Sequence, residues 1–230
     1  MQSPFEPQQG PVPSPFGGPY APAPSPFGPP GRPAKPPANK ARLLAIPAVI
    51  LLGGGTLYGC LVGFDTDAKP GDRELVVTVE DVTAGMVFTK DPARETLKRT
   101  WYIDGTVEVL YEYDGGEGSL PVYVSSQVTR TASRRDADNE YLGMKLGASA
   151  MFKVFGENVT EASRDDLLKW GDKSSSVLLS VPGGHVGNYF VAQKGDKVVL
   201  VVVTGVFFDE REAIEKVFLP KLTRASGASL

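Results

Sequence analysis

Apolar and polar positions divide the chain into three stretches with different periods. Residues 1–42 show no alternation at all. Leu43 to Phe64 reads LLAIPAVILLGGGTLYGCLVGF, without a charged residue. Beyond Asp65 the pattern switches between period 2 and period 3.6, as expected of a folded domain of roughly 150 residues. Its first clear element is a hairpin. Leu97 to Ile103 and Thr106 to Tyr113 are β-prone runs separated by Asp104-Gly105, a pair that favours a type I′ turn. Val107, Val109, Tyr111 and Tyr113 share one face of the second run and Glu108 and Glu112 the other, which predicts a half-buried antiparallel strand.

A second hairpin is predicted from Tyr189–Lys194 and Lys197–Phe207 across Gly195-Asp196. The run VVLVVV within it is apolar on both faces and must be covered on at least one side. Val177–Val181 is expected to pair beside it. Leu75, Val77 and Val79 predict an earlier strand, and Val122, Val124, Ser126 and Val128 a later one. Two helices complete the pattern. One spans about Arg134 to Phe155, with the stripe Ala137, Tyr141, Met144, Ala148, Met151, Phe152 and Phe155. The other spans about Glu210 to Leu222, with Ala213, Ile214, Val217, Phe218 and Leu222 inward. Ser133 with Asp136, and Asp209 with Glu212, read as capping pairs.

These two strand–helix units align without a gap at an offset of 76 residues, Val122 on Val198, Ala137 on Ala213, Tyr141 on Val217 and Leu146 on Leu222. That is the pattern of an old duplication, or of two units obeying the same physics. The expected fold class is α+β: an antiparallel sheet with both helices on one face, leaving an apolar groove around the last strand on the other. The expected boundaries are a disordered tail over 1–42, a transmembrane helix over 43–64, a linker over 65–73, the domain over 74–224 and a disordered C-terminus over 225–230.

Composition sharpens the first two stretches. Fourteen of the 20 prolines lie in residues 1–37, and Ser-Pro-Phe recurs at Ser3, Ser14 and Ser25. Proline removes backbone donors and favours extended polyproline II, so this tail is expected to be disordered, either a solvated spacer or a ligand for a proline-reading protein. The apolar run of 22 residues would extend about 33 Å as a helix, enough for a hydrocarbon core of ~30 Å. Its Pro47 and Gly53-Gly54-Gly55 are tolerated in lipid. Lys40 and Arg42 flank one end, Asp65 and Asp67 the other. The positive-inside rule then puts the N-terminus in the cytoplasm and the domain outside the cell membrane. A cleaved signal would need a short basic n-region, and a buried core helix would be shorter.

Leu57-Tyr58-Gly59-Cys60 resembles the lipobox of bacterial lipoproteins, which implies a chain anchored at a lipidated Cys60. It departs from that pattern in the long tail, in Tyr58 and in the apolar Leu61–Phe64. Residues 1–64 as a whole resemble, in composition, bacterial single-pass envelope proteins with a Pro-rich cytoplasmic tail.

Charge and cysteine content exclude several functions. Residues 65–230 carry 20 basic and 26 acidic side chains. A domain of that sign is not expected to bind nucleic acid. Cys60 is the single cysteine, so the domain can form neither a disulfide nor a thiolate metal site. The one histidine, His185, lies in the glycine-rich Val181–Gly187 and reads as an exposed loop residue. Asp114-Gly115-Gly116-Glu117-Gly118 lacks calcium-loop spacing. Asp165-Asp166 and Asp136/Asp138 read as helix-start charges. Gly143-x-x-x-Gly147 sits in a soluble helix, where small residues would allow close approach to the sheet. Asn158-Val159-Thr160 fits a glycosylation acceptor.

No residue is assigned a catalytic, cofactor-binding or metal-ligating role, no cofactor is expected, and the chain is read as not an enzyme. The expected function is a membrane-anchored extracytoplasmic binding or interaction module of the cell envelope. Its partners would be the membrane itself, crossed by one helix, and proteins that meet the tail and the outer domain. The alternatives are a small-ligand sensor signalling through the tail, the lipoprotein at Cys60, and an enzyme whose groups converge only in three dimensions.

Overall fold

A computed structural model of the chain describes residues 63–115, 122–155 and 158–230. The tail and residues 43–62 of the apolar run lie outside the described residues. Eight antiparallel strands form one sheet: β1 (Gly63–Thr66), β2 (Glu95–Tyr102), β3 (Val107–Asp114), β4 (Tyr123–Arg130), β5 (Thr160–Ser163), β6 (Lys173–Val181), β7 (Gly184–Lys194) and β8 (Lys197–Thr204). Their order across the sheet is β1-β2-β3-β4-β8-β7-β6-β5. Three α-helices accompany them: α1 (Val79–Val82), α2 (Arg134–Phe155) and α3 (Arg211–Gly227). The chain is therefore a mixed α+β fold.

Both hairpins form where the pattern places them. Gly105 and Gly195 take φ of +87° and +62°, the left-handed conformation that the two tight turns need and that glycine adopts without a Cβ penalty. Val107, Val109, Tyr111 and Tyr113 are buried. β8 is the fifth strand of eight, hydrogen-bonded to β4 on one side and β7 on the other. β6 pairs beside β7, as expected for Val177–Val181.

The two long helices lie on opposite faces of this sheet, not on one. Val199, Val201 and Val203 join Ile214, Phe218 and Leu222 of α3 in one core. Val198, Leu200 and Val202 join Ala137, Met144, Ala148, Met151 and Phe152 of α2 in the other. The physical reason is the doubly apolar β8. With both helices on one face, three large aliphatic side chains would face water, at about 1.5–3 kcal/mol each. The expected uncovered apolar groove around β8 is therefore absent, because α2 and α3 each fill one side.

Other expectations fail locally. Leu75–Val79 is not a strand. Asp72–Glu74 form a 3-10 turn and Thr78 starts α1, its backbone N–H and hydroxyl both donating to Asp81. This capping box offers the backbone a helical alternative. Ser133 does cap α2, accepting from the Asp136 N–H. Asp209 does not cap α3, which starts from Glu210 without a side-chain cap. The 76-residue correspondence holds in burial at Val122 and Val198, both buried, and at Tyr141 and Val217, both half-buried, and breaks at two other pairs. Ala137 is buried and Ala213 exposed; Leu146 is exposed and Leu222 buried. At Gly147 a Cβ would meet nothing within 4 Å, so this glycine is not there for close packing.

The domain also extends past both expected ends. Gly63 and Phe64, the last residues of the apolar run, belong to β1 and pair with Tyr102 and Trp101. Residues 65–73 are not a free linker, since Asp72 is buried and ion-paired to the buried Arg99 at 2.7 Å. At the other end α3 continues to Gly227, with Ala225 and Leu230 in the core.

Candidate functional site

Side chains alternate along each strand, so the β2–β3–β4 half of the sheet presents a second set of residues on the α2 side. On β3 this set is Glu108, Leu110 and Glu112. Opposite them on β4 stand Thr129, Gln127 and Ser125, with Tyr123 facing Asp114 and Thr204. Tyr123, Ser125, Gln127 and Thr129 are all buried. A polar row thus lies inside the sheet's central region, beside the apolar core that α2 covers.

Glu108 stands at one end of this row, opposite Thr129. Gln127 Nε2 donates to its Oε2 at 2.7 Å and shares with Thr129 Oγ1 at 3.2 Å; the Tyr102 hydroxyl approaches the same carboxylate oxygen at 3.5 Å. Burial, and then the charge of Glu140 on α2, push the Glu108 carboxyl up to about 7. Glu140 is itself raised, by burial and by Asp104. Burial also raises Glu112, partly offset by Lys98. Tyr102 and Tyr123 are raised in turn, first by burial and then by their neighbours Glu108 and Glu112. Three carboxyls on one side therefore hold their protons more tightly than in water, because a charged form there loses hydration and only at Glu112 does a cation, Lys98, offset part of that loss.

The far end of the row carries unmet hydrogen-bonding capacity. Tyr123 Oη, Ser125 Oγ and Thr204 Oγ1 are buried and make no hydrogen bond of ordinary geometry among the described residues, although Tyr123 lies near enough to Ser125 and Glu112 for both to act on its titration. Tyr123 and Thr204 face each other across β4 and β8, and Ser125 faces Glu112 across β3 and β4. Buried hydroxyls are ordinarily satisfied, so neighbouring orphans mark a place where a donor or acceptor from elsewhere would fit. Chemically, the row can exchange a proton at Glu108 near neutral pH, or exchange that proton for a cation.

Sequence reasoning missed this row. It placed Glu108 and Glu112 on the outer face of a half-buried strand. The available signal was β4 itself, where Ser125, Gln127 and Thr129 alternate with Val124 and Val128. A strand so patterned, once central, must bury a polar face.

The residues singled out by sequence do not converge. His185 is exposed, as expected, but at the start of β7; its Nδ1 lies 2.8 Å from Ser180 Oγ and its ring meets Phe207 edge-on at 5.3 Å. Asp165 and Asp166 start no helix. Asp165 accepts the Ser176 N–H, and Asp166 pairs with Arg164. Asp138 pairs with Lys173. Asn158 is exposed, just before β5. Gly116 to Gly118 lie outside the described residues. Among the described residues no group of three or more His, Cys, Asp or Glu is placed to hold a metal ion, and no helix is long and apolar enough to cross a membrane. A surface hollow of about 370 Å³ is lined by Asp165, Lys169, Trp170, Asp172 and Lys173. Its groups serve the fold: Asp172 pairs with Arg134, and Lys194 lies over the Trp170 ring at 5.7 Å.

No protein-family model and no curated protein matches the chain. Among solved structures, the extracellular domain of PknH from Mycobacterium tuberculosis is similar at 12% identity and a TM-score of 0.32, over 81% of this chain and 94% of that one. At that level of similarity nothing about location or activity follows.

Proposed function

We propose that this chain is a membrane-anchored extracytoplasmic binding module, not an enzyme, and that its binding face is the polar row around Glu108. The observation that carries the binding part is the combination of raised carboxyls with the orphan hydroxyls of Tyr123, Ser125 and Thr204. The ligand class this chemistry suits is a cation rich in hydrogen-bond donors. Glu108 and Glu112 stand four residues, about 13 Å, apart along β3, so the cation would carry more than one ammonium group: one would let Glu108 ionise, and another at Glu112 would bring N–H donors to Ser125 Oγ and Tyr123 Oη. The anchor part rests on the uncharged run and its basic N-terminal flank. Since Gly63 is already paired in β1, a spanning segment would end no later than Val62, at most 20 residues of the uncharged run or about 30 Å of helix.

Two experiments test the two parts separately. Protease added to intact spheroplasts should remove the domain and spare the tail; protection of the domain refutes the location. Spermidine, as a donor-rich cation, should raise the melting temperature of the full chain and leave that of a Glu108→Gln/Glu112→Gln variant unmoved. An equal response of both refutes the binding face and leaves the location standing. Mass spectrometry distinguishes the anchors, since a mature chain starting at a diacylated Cys60 would make residues 1–59 a leader.

A further inference from the structure

We infer that the corner of the sheet formed by β1 and the β2–β3 turn docks onto the bilayer surface, with Phe64, Trp101 and Ile103 entering the lipid interface; this rests on the anchored reading above. Three observations converge. First, the uncharged run reaches into the sheet. β1 starts at Gly63, one residue after the part of the uncharged run that lies outside the described residues, and Gly63 is already paired with Tyr102. Whatever holds residues 43–62 holds this corner within a residue or two of the same place.

Second, this corner exposes large apolar side chains; among them Trp101 has a packing partner, the Arg99 guanidinium over its ring at 5.7 Å. Phe64 is 57%, Trp101 38% and Ile103 71% exposed. Phe64 and Trp101 are cross-strand partners, and Ile103 follows directly in the turn. Singly exposed apolar residues are normal; three contiguous ones at the point of attachment form a patch that marks a partner surface. Third, the residue types suit an interface. Aromatic rings sit at headgroup depth, where one edge is apolar and the other wet. The register carries the same end of the sheet from Trp101 through Val107, Arg130 and Lys197 to Lys194. Lys194 lies there over the chain's other tryptophan, Trp170. Long basic side chains that snorkel beside aromatic rings are the companions expected at headgroup level. Asp65 and Asp104 are also at this corner, so attachment relies on apolar insertion and not on anionic lipid.

The opposite end of the strands provides a control. Val87, fully exposed, adjoins Phe88, whose ring packs on Tyr113 at the other end of β3. An eight-residue strand of about 26 Å separates the two ends.

The full chain reconstituted in nanodiscs of neutral phospholipid is its own probe, because it holds two tryptophans, Trp101 and Trp170. Brominated phospholipid quenches tryptophan on contact. Wild type should lose emission in brominated discs relative to plain ones. Trp101→Phe should reduce that loss, leaving at most a remainder from Trp170 at the same end of the sheet, and adding Val87→Trp to it should contribute emission that bromine does not touch. Equal wild-type emission in both discs, with the chain still resistant to alkaline carbonate, overturns docking and spares the anchor. A loss unchanged by Trp101→Phe overturns the assignment to this corner. Extraction of the chain by carbonate refutes the anchored reading, and the docking with it.

Discussion

Glu108→Gln should stabilise the protein at neutral and alkaline pH and do nothing at acid pH. Below pH 4.5 the carboxyl is protonated in the folded and the unfolded chain alike. Between there and about 7 the unfolded chain releases its proton while the folded chain keeps it, so stability falls as pH rises through this window. Above the folded value the penalty is constant. Moving from 4.5 to about 7 corresponds, at about 1.36 kcal/mol per pH unit, to about 3 kcal/mol. An amide at this position cannot ionise, and its oxygen can still accept from Gln127 Nε2. The variant should therefore gain about 1–3 kcal/mol over wild type at pH 8, the lower end covering imperfect hydrogen bonding. At pH 4 the difference should vanish. Urea unfolding of the full chain in detergent, followed by circular dichroism from pH 4 to 8, measures it. Glu112 and Glu140 are raised as well and repel Glu108, so the difference between variant and wild type reports Glu108 together with its repulsion from these two carboxyls. A difference independent of pH, or a variant less stable at pH 8, would refute the reasoning.

Phe218→Ala should cost about 3–5 kcal/mol in the same unfolding assay, since Phe218 is 1% exposed and its ring meets Phe208 at 5.7 Å and Phe190 at 6.2 Å. Asp72→Asn should cost about 3–5 kcal/mol by leaving Arg99 buried without its counter-charge; Nε and Nη2 of that guanidinium already have no partner, and a loss under 1 kcal/mol would show that the pair is not closed to water. His185→Ala should change stability by less than about 0.5 kcal/mol, as for an exposed side chain whose contacts with Ser180 and Phe207 lie at the surface, and should leave the spermidine response intact.

The sequence made the strands legible where alternation and turn chemistry agreed. Asp104-Gly105 and Gly195-Asp196 located both hairpins, and helical spacing located α2 and α3. What it could not convey was which face each helix would take. Val198 to Val203 demanded cover without saying how many covers there would be, and a rule of one layer per sheet chose wrongly. Short elements were lost for a different reason. Thr78 and Asp81 outvoted the β-branched Val76, Val77 and Val79, because a capping box acts over four residues while a strand needs a neighbour. The polar row stayed hidden because Glu108 and Glu112 look like the wet side of a strand until β4, β8 and the burial they bring are in place. Pairing partners distant in sequence decide that, and period alone does not contain them.

The position of β1 has a mechanical consequence. It is an edge strand of four residues, held to the sheet on one side only, by pairing with β2. The chain enters it at Gly63, so a load between the tail and the domain would pull on the first rung of that ladder and peel the rungs in turn, instead of shearing all four together. Peeling would stop at the buried Asp72–Arg99 pair. The nine residues released before it, at ~3.4 Å each, would lengthen the leash by about 30 Å, while β2 to β8 and both cores stayed intact. Under tension the domain would thus step away from the point of pull before it unfolded, with β1 acting as a slipping clutch and the buried ion pair as its stop.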